Sequence, residues 1–180
     1  LNADGTRQDG VHAAPGSAAY LVSTLVPGAV LLGRGQTALT PWRARRPRPV
    51  GWATGAALAA RTATLRRLGP FDEQIFMYGE DLELGLRAAA TGVQTWFWPQ
   101  ARVIHTGAHS TGSAFGGEDF SRLARTRHAA IALARGERAA ARDDVAQAVT
   151  FASRASVKRL LGRGGQRELS QLAAVLGLRR

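Results

Sequence analysis

The sequence predicts an α/β fold with a helical C-terminal extension, and three observations carry this reading. Val93–Pro99 sets Val93, Thr95 and Phe97 against Gln94, Trp96 and Trp98, the alternation of a strand with aromatic residues on both faces. Leu82, Leu86 and Ala89 recur at i, i+4 and i+7 within Glu80–Thr91, the spacing of a helix with one apolar stripe. From Glu118 onward the pattern is helical and rich in arginine, interrupted at Gly136 and at Gly162-Arg163-Gly164-Gly165. At 180 residues the chain fits one domain, or one domain with a helical appendage.

In chain order, Leu1–Gly16 is polar and without periodicity, and reads as loop or frayed edge. The chain opens on Leu1 rather than Met and is expected to be the cut end of a longer protein. Ser17–Gly33 is uncharged and largely apolar, but Pro27-Gly28 splits it. A membrane span needs about 20 continuous apolar residues, so buried or interfacial segments are expected instead. Arg43, Arg45, Arg46 and Arg48 alternate with Pro41, Pro47 and Pro49, an extended basic loop in which solvated arginines and a phosphate or lipid-headgroup contact both remain open. Val50–Ala60 is small and apolar; its alanines leave helix open, but a buried strand is expected, with Gly51 and Gly55 allowing close approach. Thr62–Leu68 reads as a short helix stopped by Gly69 and Pro70.

The Glu80–Thr91 helix begins with acids that complement its dipole and ends at Gly92, and Glu83 stands four residues before Arg87 in the favourable order for an ion pair. A second short strand is expected at Ala101–His105. Thr106–Gly117, with four glycines, has the composition of a mobile loop. Helices are expected near Glu118–Arg135, Glu137–Leu161 and Gln166–Leu178.

Composition narrows the chemistry. The absence of cysteine excludes disulfides, thiolate metal sites and a cysteine nucleophile. A net charge of +11 invites nucleic acid or an anionic membrane as partner. Yet Lys158 is the only lysine and the arginines are dispersed among alanines, a pattern that suits a GC-rich genome equally well, and nucleic acid is not the expected partner. The candidate chemical groups are Asp72, Glu73, Glu80, Asp81, Glu83, His105 and His109. Each has a plain alternative: turn and cap residues for Asp72 and Glu73, first-turn acids for Glu80 and Asp81, an ion pair with Arg87 for Glu83, and surface or capping residues for the histidines. What favours chemistry is the setting of Glu80, Asp81 and Glu83 beside Phe71, Phe76 and Tyr78. Acids next to apolar rings suit a base that meets a polar substrate in a partly dry site.

The ordered series Gly51-Trp52-x-x-Gly55, Arg61, Leu68-Gly69-x-Phe71-Asp72-Glu73-x-x-Phe76-x-x-x-Glu80-Asp81-x-Glu83-Leu84-x-x-Arg87, Gly92, Pro99, Val103-x-His105 and Ser110 resembles the acceptor-side half of a family 2 glycosyltransferase. It is most similar to the rhamnosyltransferase and galactofuranosyltransferase branches that act on bacterial cell-envelope glycans. The resemblance spans Val50–Ser110, with a weaker extension at Asp4-Gly5-x-x-Gln8. It implies the C-terminal part of a GT-A, Rossmann-like domain over residues 1–112, a mostly parallel sheet between helices, followed by an Arg-rich helical extension over 113–180.

The resemblance also implies an inverting transfer of a sugar from a nucleotide-diphosphate donor to a hydroxyl of a glycan or polyprenyl-linked acceptor. Asp81 would be the general base, and Glu80 would hydrogen-bond the acceptor. Trp52 and Gly55 would line the sugar site, Phe76 and Tyr78 would wall the acceptor cleft, and His105 would complete the coordination of a divalent metal, Mg or Mn. That metal is expected only with the family's N-terminal, donor-binding half. That half and its Asp-x-Asp motif are missing from these residues, since Asn2-Ala3-Asp4 lies too close to the Asp4-Gly5 turn to be its Asn-x-Asp form. The fragment alone is expected to be inactive. A cytoplasmic location is implied, with peripheral contact at the inner face of the plasma membrane open to the basic extension. The competing readings are a noncatalytic basic module for nucleic acid or anionic lipid, and a truncated inactive relic.

Overall fold

The computed structural model describes residues 1–25, 39–69, 71–75, 77–106 and 119–177. Strand β1 (Val11–His12) and helix α1 (Ala18–Leu25) come first, followed by a 3-10 turn at Pro41–Arg43. Strands β2 (Arg48–Val50) and β3 (Trp52–Ala53), helices α2 (Thr62–Leu68) and α3 (Glu80–Ala90), and strand β4 (Thr95–Phe97) follow. Three helices end the order: α4 (Phe120–Arg135), α5 (Glu137–Leu160) and α6 (Gln166–Gly177). The architecture is mixed, with small sheets beside a helical bundle. β1 pairs with β3 and β2 with β4, and both pairings are antiparallel.

The buried centre lies where α3 meets α4 and α5. Ile75, Leu82, Leu86, Ala130, Ile131 and Ala140 form one cluster, against which Trp52 packs. Residues on both sides of the 107–118 segment therefore share a core. Alanines at 130 and 140 let α4 and α5 approach closely, and Gly136 (φ 86°) makes the elbow between them in a backbone region that side chains disfavour. Asp119 caps α4 by accepting from the Arg122 N–H at 2.9 Å, supplying one of the helix's orphan bonds. Along α5 the buried residues include Asp143 and Asp144, since this helix packs against α1, α4 and α6.

The expected helices at Thr62–Leu68, near Glu80–Thr91 and in the C-terminal third are present, within two residues at their ends. Glu83 and Arg87 pair through two contacts of 2.8 Å. Arg87 also donates to the Leu68 carbonyl, tying α3 to the end of α2. Asp72 accepts from the Gln74 N–H at 2.9 Å, so it is a turn residue.

Five expectations need correction. Among the described residues both strand pairings are antiparallel, not the mostly parallel sheet that the resemblance implies. The Val50–Ala60 run is not one buried strand: β3 ends at Ala53 and residues 55–63 are exposed, because Thr54 bonds back to Gly10 and Gly55 is drawn away to Asp81. Leu1–Gly16 is not all loop, since it contributes β1. Ala101–His105 is not a strand; its two backbone bonds to Leu1 make a single bridge rather than a ladder. In α3 it is Ala88 that is buried, while Ala89 and Ala90 face solvent at the helix end. The apolar run beyond Leu25, the Thr106–Gly117 loop beyond Thr106, and with it His109, lie outside the described residues. Among the described residues no helix is long and apolar enough to cross a membrane.

Candidate active site

Asp81 stands in the first turn of α3, whose entry is a tight left-handed turn. Tyr78 (φ 66°) and Gly79 (φ 109°) both adopt positive φ, which for tyrosine costs roughly 1–2 kcal/mol. Gly79 is required there twice over, because a Cβ would also lie 3.0 Å from the Thr126 carbonyl oxygen of α4. The turn aims Asp81 at the segment after β3. Its Oδ2 accepts from the Gly55 N–H at 2.9 Å and its Oδ1 from the Leu82 N–H at 2.7 Å. Each oxygen keeps a further lone pair for another donor.

Asp81 lines a cleft of about 230 Å³ between α3, β3 and the C-terminal helices. Trp52, Tyr78 and Leu82 form one wall. Phe120, Leu123 and Arg127 of α4, Asp144, Gln147 and Phe151 of α5, and Gln171 and Val175 of α6 form the other. The lining is mainly apolar with a few polar groups, the usual character of a site for a small organic ligand. Trp52 is held from two sides. His12 stacks on its ring at 4.3 Å, and Gly85 of α3 leaves it room, since a Cβ there would fall 2.5 Å from the Trp52 Cβ.

The polar floor beneath the cleft is a buried network. Arg127 donates to both Asp143 oxygens at 2.6 and 3.1 Å and contacts the Tyr20 hydroxyl at 3.4 Å, which also accepts from Gln147 at 2.9 Å. Burial pushes the Tyr20 phenol up to about 12, so it stays protonated. His12 is held below its ordinary pKa, chiefly by burial, with Arg127 adding to the effect against Asp9 and Asp81. For His128 burial acts downward, but hydrogen bonds and charges from Asp144 (2.8 Å) and Glu137 (3.1 Å) outweigh it and raise the pKa.

The remaining expected residues are placed differently. Glu80 does not line the cleft. Burial raises its pKa, partly opposed by the backbone N–H groups of Glu80 and Tyr78, and among the described residues its buried Oε2 has no hydrogen-bond partner. Gly55 serves as a donor to Asp81 rather than as a wall. Phe76 lies outside the described residues. His105 is exposed, with Nδ1 3.1 Å from Gln8 Oε1, and does not line the cleft. Among the described residues no three His, Cys, Asp or Glu side chains gather to hold a metal ion.

Sequence reasoning missed the helical wall. Its signal is there: Phe120, Leu123 and Arg127 follow i, i+3, i+7, and Asp144, Gln147 and Phe151 repeat the same spacing. Which of several such stripes faces a site is decided only by packing.

Over part of its length the chain is similar to curated rhamnosyltransferases. It is 46% identical over 65 residues to the N-acetylglucosaminyl-diphospho-decaprenol L-rhamnosyltransferase of Mycobacterium tuberculosis, in two strains, covering 36% of this chain and 21% of that protein. It is 35% identical over 66 residues to the rhamnosyltransferase WbbL of Escherichia coli K12, covering 37% of this chain and 25% of that protein. The match thus spans about a quarter or less of these relatives. No family model matches the chain, and no solved structure matches it.

Proposed function

We propose that the protein containing this chain is an inverting family 2 glycosyltransferase of GT-A architecture, and that this chain supplies its acceptor site and general base. The observation that carries the reading is the Asp81 carboxylate, fixed by the Gly55 N–H at the edge of an aromatic-walled cleft. The rhamnosyltransferase names of the relatives favour a nucleoside-diphosphate rhamnose donor. The decaprenol-linked substrate in one of those names favours a lipid-linked glycan acceptor, met at the cytoplasmic face of the membrane.

In this reading an acceptor hydroxyl enters between Trp52 and the helical wall and donates its hydrogen bond to Asp81. The hydroxyl oxygen forms a bond to the anomeric carbon as the bond from that carbon to the diphosphate oxygen breaks on the opposite face. The nucleoside diphosphate leaves with the electron pair and configuration inverts. A carboxylate is a far weaker base than the alkoxide it would generate from an alcohol. Its proton transfer is therefore concerted with attack and late, which makes position the decisive factor. Trp52, Tyr78 and Phe151 offer apolar faces to sugar rings. Glu80 is a positioning residue that supports the Tyr78–Gly79 turn. The divalent metal would be held with the donor half, where it would neutralise charge on the leaving diphosphate.

The test is transfer by the full-length protein. With a panel of nucleoside-diphosphate sugars and a polyprenyl-diphosphate-linked N-acetylglucosamine acceptor, release of nucleoside diphosphate should depend on both substrates. Donor hydrolysis that ignores the acceptor, or no turnover with any donor, would contradict the reading.

A further inference from the structure

We infer that the β2–β4 ribbon, with the arginine segment at its end, is a docking surface for anionic phospholipid membrane. Arg43, Arg45 and Arg46 are exposed and make no ion pair with any described carboxylate. Pro41 and Ala44 are buried beneath them, and Arg7 donates to the Ala44 carbonyl at 3.1 Å, so the segment is anchored from below while its guanidinium groups face outward. Arg43–Pro49 curves around an open hollow of about 620 Å³, broad enough to take a phosphate headgroup. Guanidinium groups bind phosphate oxygens in paired hydrogen bonds.

The second half of the surface is aromatic. In the β2–β4 register Pro49 opposes Trp96, and both are exposed, while Arg48, Val50, Thr95 and Phe97 lie half-buried on the other face. Because the strands are antiparallel, the start of β2 and the end of β4 share one end of the ribbon. Trp98 therefore lies at the same end of the ribbon as Arg46-Pro47. Trp96 and Trp98 are 53% and 58% exposed, and Val103 and Ile104, a few residues on, are 52% and 60% exposed. Indole rings sit favourably at the headgroup level of a bilayer, and polybasic segments are drawn to anionic lipid.

The surface is independent of Asp81, so its test needs no turnover. The full-length protein is sedimented with phosphatidylcholine vesicles, alone or with about one-third phosphatidylglycerol, at about 0.1 M and 0.5 M salt. Binding should require the anionic lipid, weaken at high salt and shift tryptophan emission to the blue. Arg43→Gln/Arg45→Gln/Arg46→Gln should weaken binding by about tenfold or more. Trp96→Ala/Trp98→Ala should weaken it and remove most of the blue shift. Arg138→Gln/Arg142→Gln/Arg154→Gln takes the same charge from α5 and should leave binding near wild type. The inference is overturned if the ribbon variants bind like wild type. It is equally overturned if Leu160→Gln/Leu161→Gln at the end of α5 alone abolishes binding, or if the arginines serve single-stranded DNA while vesicles do not bind.

Discussion

The Asp81 carboxylate and the Gly55 backbone N–H meet at 2.9 Å across 26 residues of chain, and this bond joins the head of α3 to the segment leaving β3. It turns a first-turn acid, whose ordinary worth is a few tenths of a kcal/mol to the helix dipole, into a group with a fixed direction. Gly55 contributes its amide rather than its missing side chain, because a Cβ there would sit in ordinary contact, 3.8 Å from the Asp81 Cβ.

That distinction separates two glycines. Gly55→Ala should change unfolding free energy by less than about 0.5 kcal/mol. Gly85→Ala places its methyl 2.5 Å from the Trp52 Cβ and 3.2 Å from the Trp52 Cα. Despite a helix preference of about 1 kcal/mol for alanine, it should destabilise by about 1–2 kcal/mol. Urea unfolding followed by tryptophan fluorescence measures both.

Asp143→Asn should be among the most damaging single changes in the network beneath the cleft. Its carboxylate is 2% exposed and is the main partner of Arg127, so the substitution leaves a poorly hydrated guanidinium without its counter-charge. A loss of about 3 kcal/mol is expected in urea unfolding. An unchanged midpoint would mean that the pair does not hold α4 to α5.

The two histidines should make stability respond to pH in opposite directions. The His128 pKa is raised by Asp144 and Glu137 against its burial, so its contribution is complete below the unfolded value of about 6.5 and is lost as pH rises through the folded value. His12 is depressed by burial, so it opposes folding once pH falls below about 6.5. The stability gap between wild type and His128→Gln should therefore narrow from about pH 6 to about pH 8, and the penalty removed by His12→Gln should grow as pH falls.

Glu80 gives a further sign. Burial raises its pKa, so stability falls as pH climbs from the unfolded value of about 4.3 through the folded one. Glu80→Gln should lack that fall and be no less stable than wild type at neutral pH. With the full-length protein its acceptor KM should stay near wild type, since Glu80 does not line the cleft. A large rise in acceptor KM would instead put Glu80 on the substrate.

Much of this was legible in the sequence because it is local. Gly69, Gly92 and Gly136 mark helix ends through backbone conformations read directly from residue type, and the Glu83–Arg87 spacing foretells its ion pair. β1 is only two residues long, too short for a period to register, and it is held by pairing with β3 across the chain. The Tyr20–Arg127–Asp143 network joins residues more than 100 positions apart, which no local pattern encodes. The same holds for the cleft's second wall, whose helices were expected but whose inward faces were not.

The central claim is that Asp81 takes the acceptor proton, and Asp81→Asn in the full-length protein tests it most directly. The amide oxygen can accept from Gly55 or from Leu82 but not from both, so a loss of about 1 kcal/mol in unfolding free energy is expected, with the fold and donor binding retained. Turnover should drop by about a hundredfold or more. Turnover within a few fold of wild type, with the fold intact, would contradict the account.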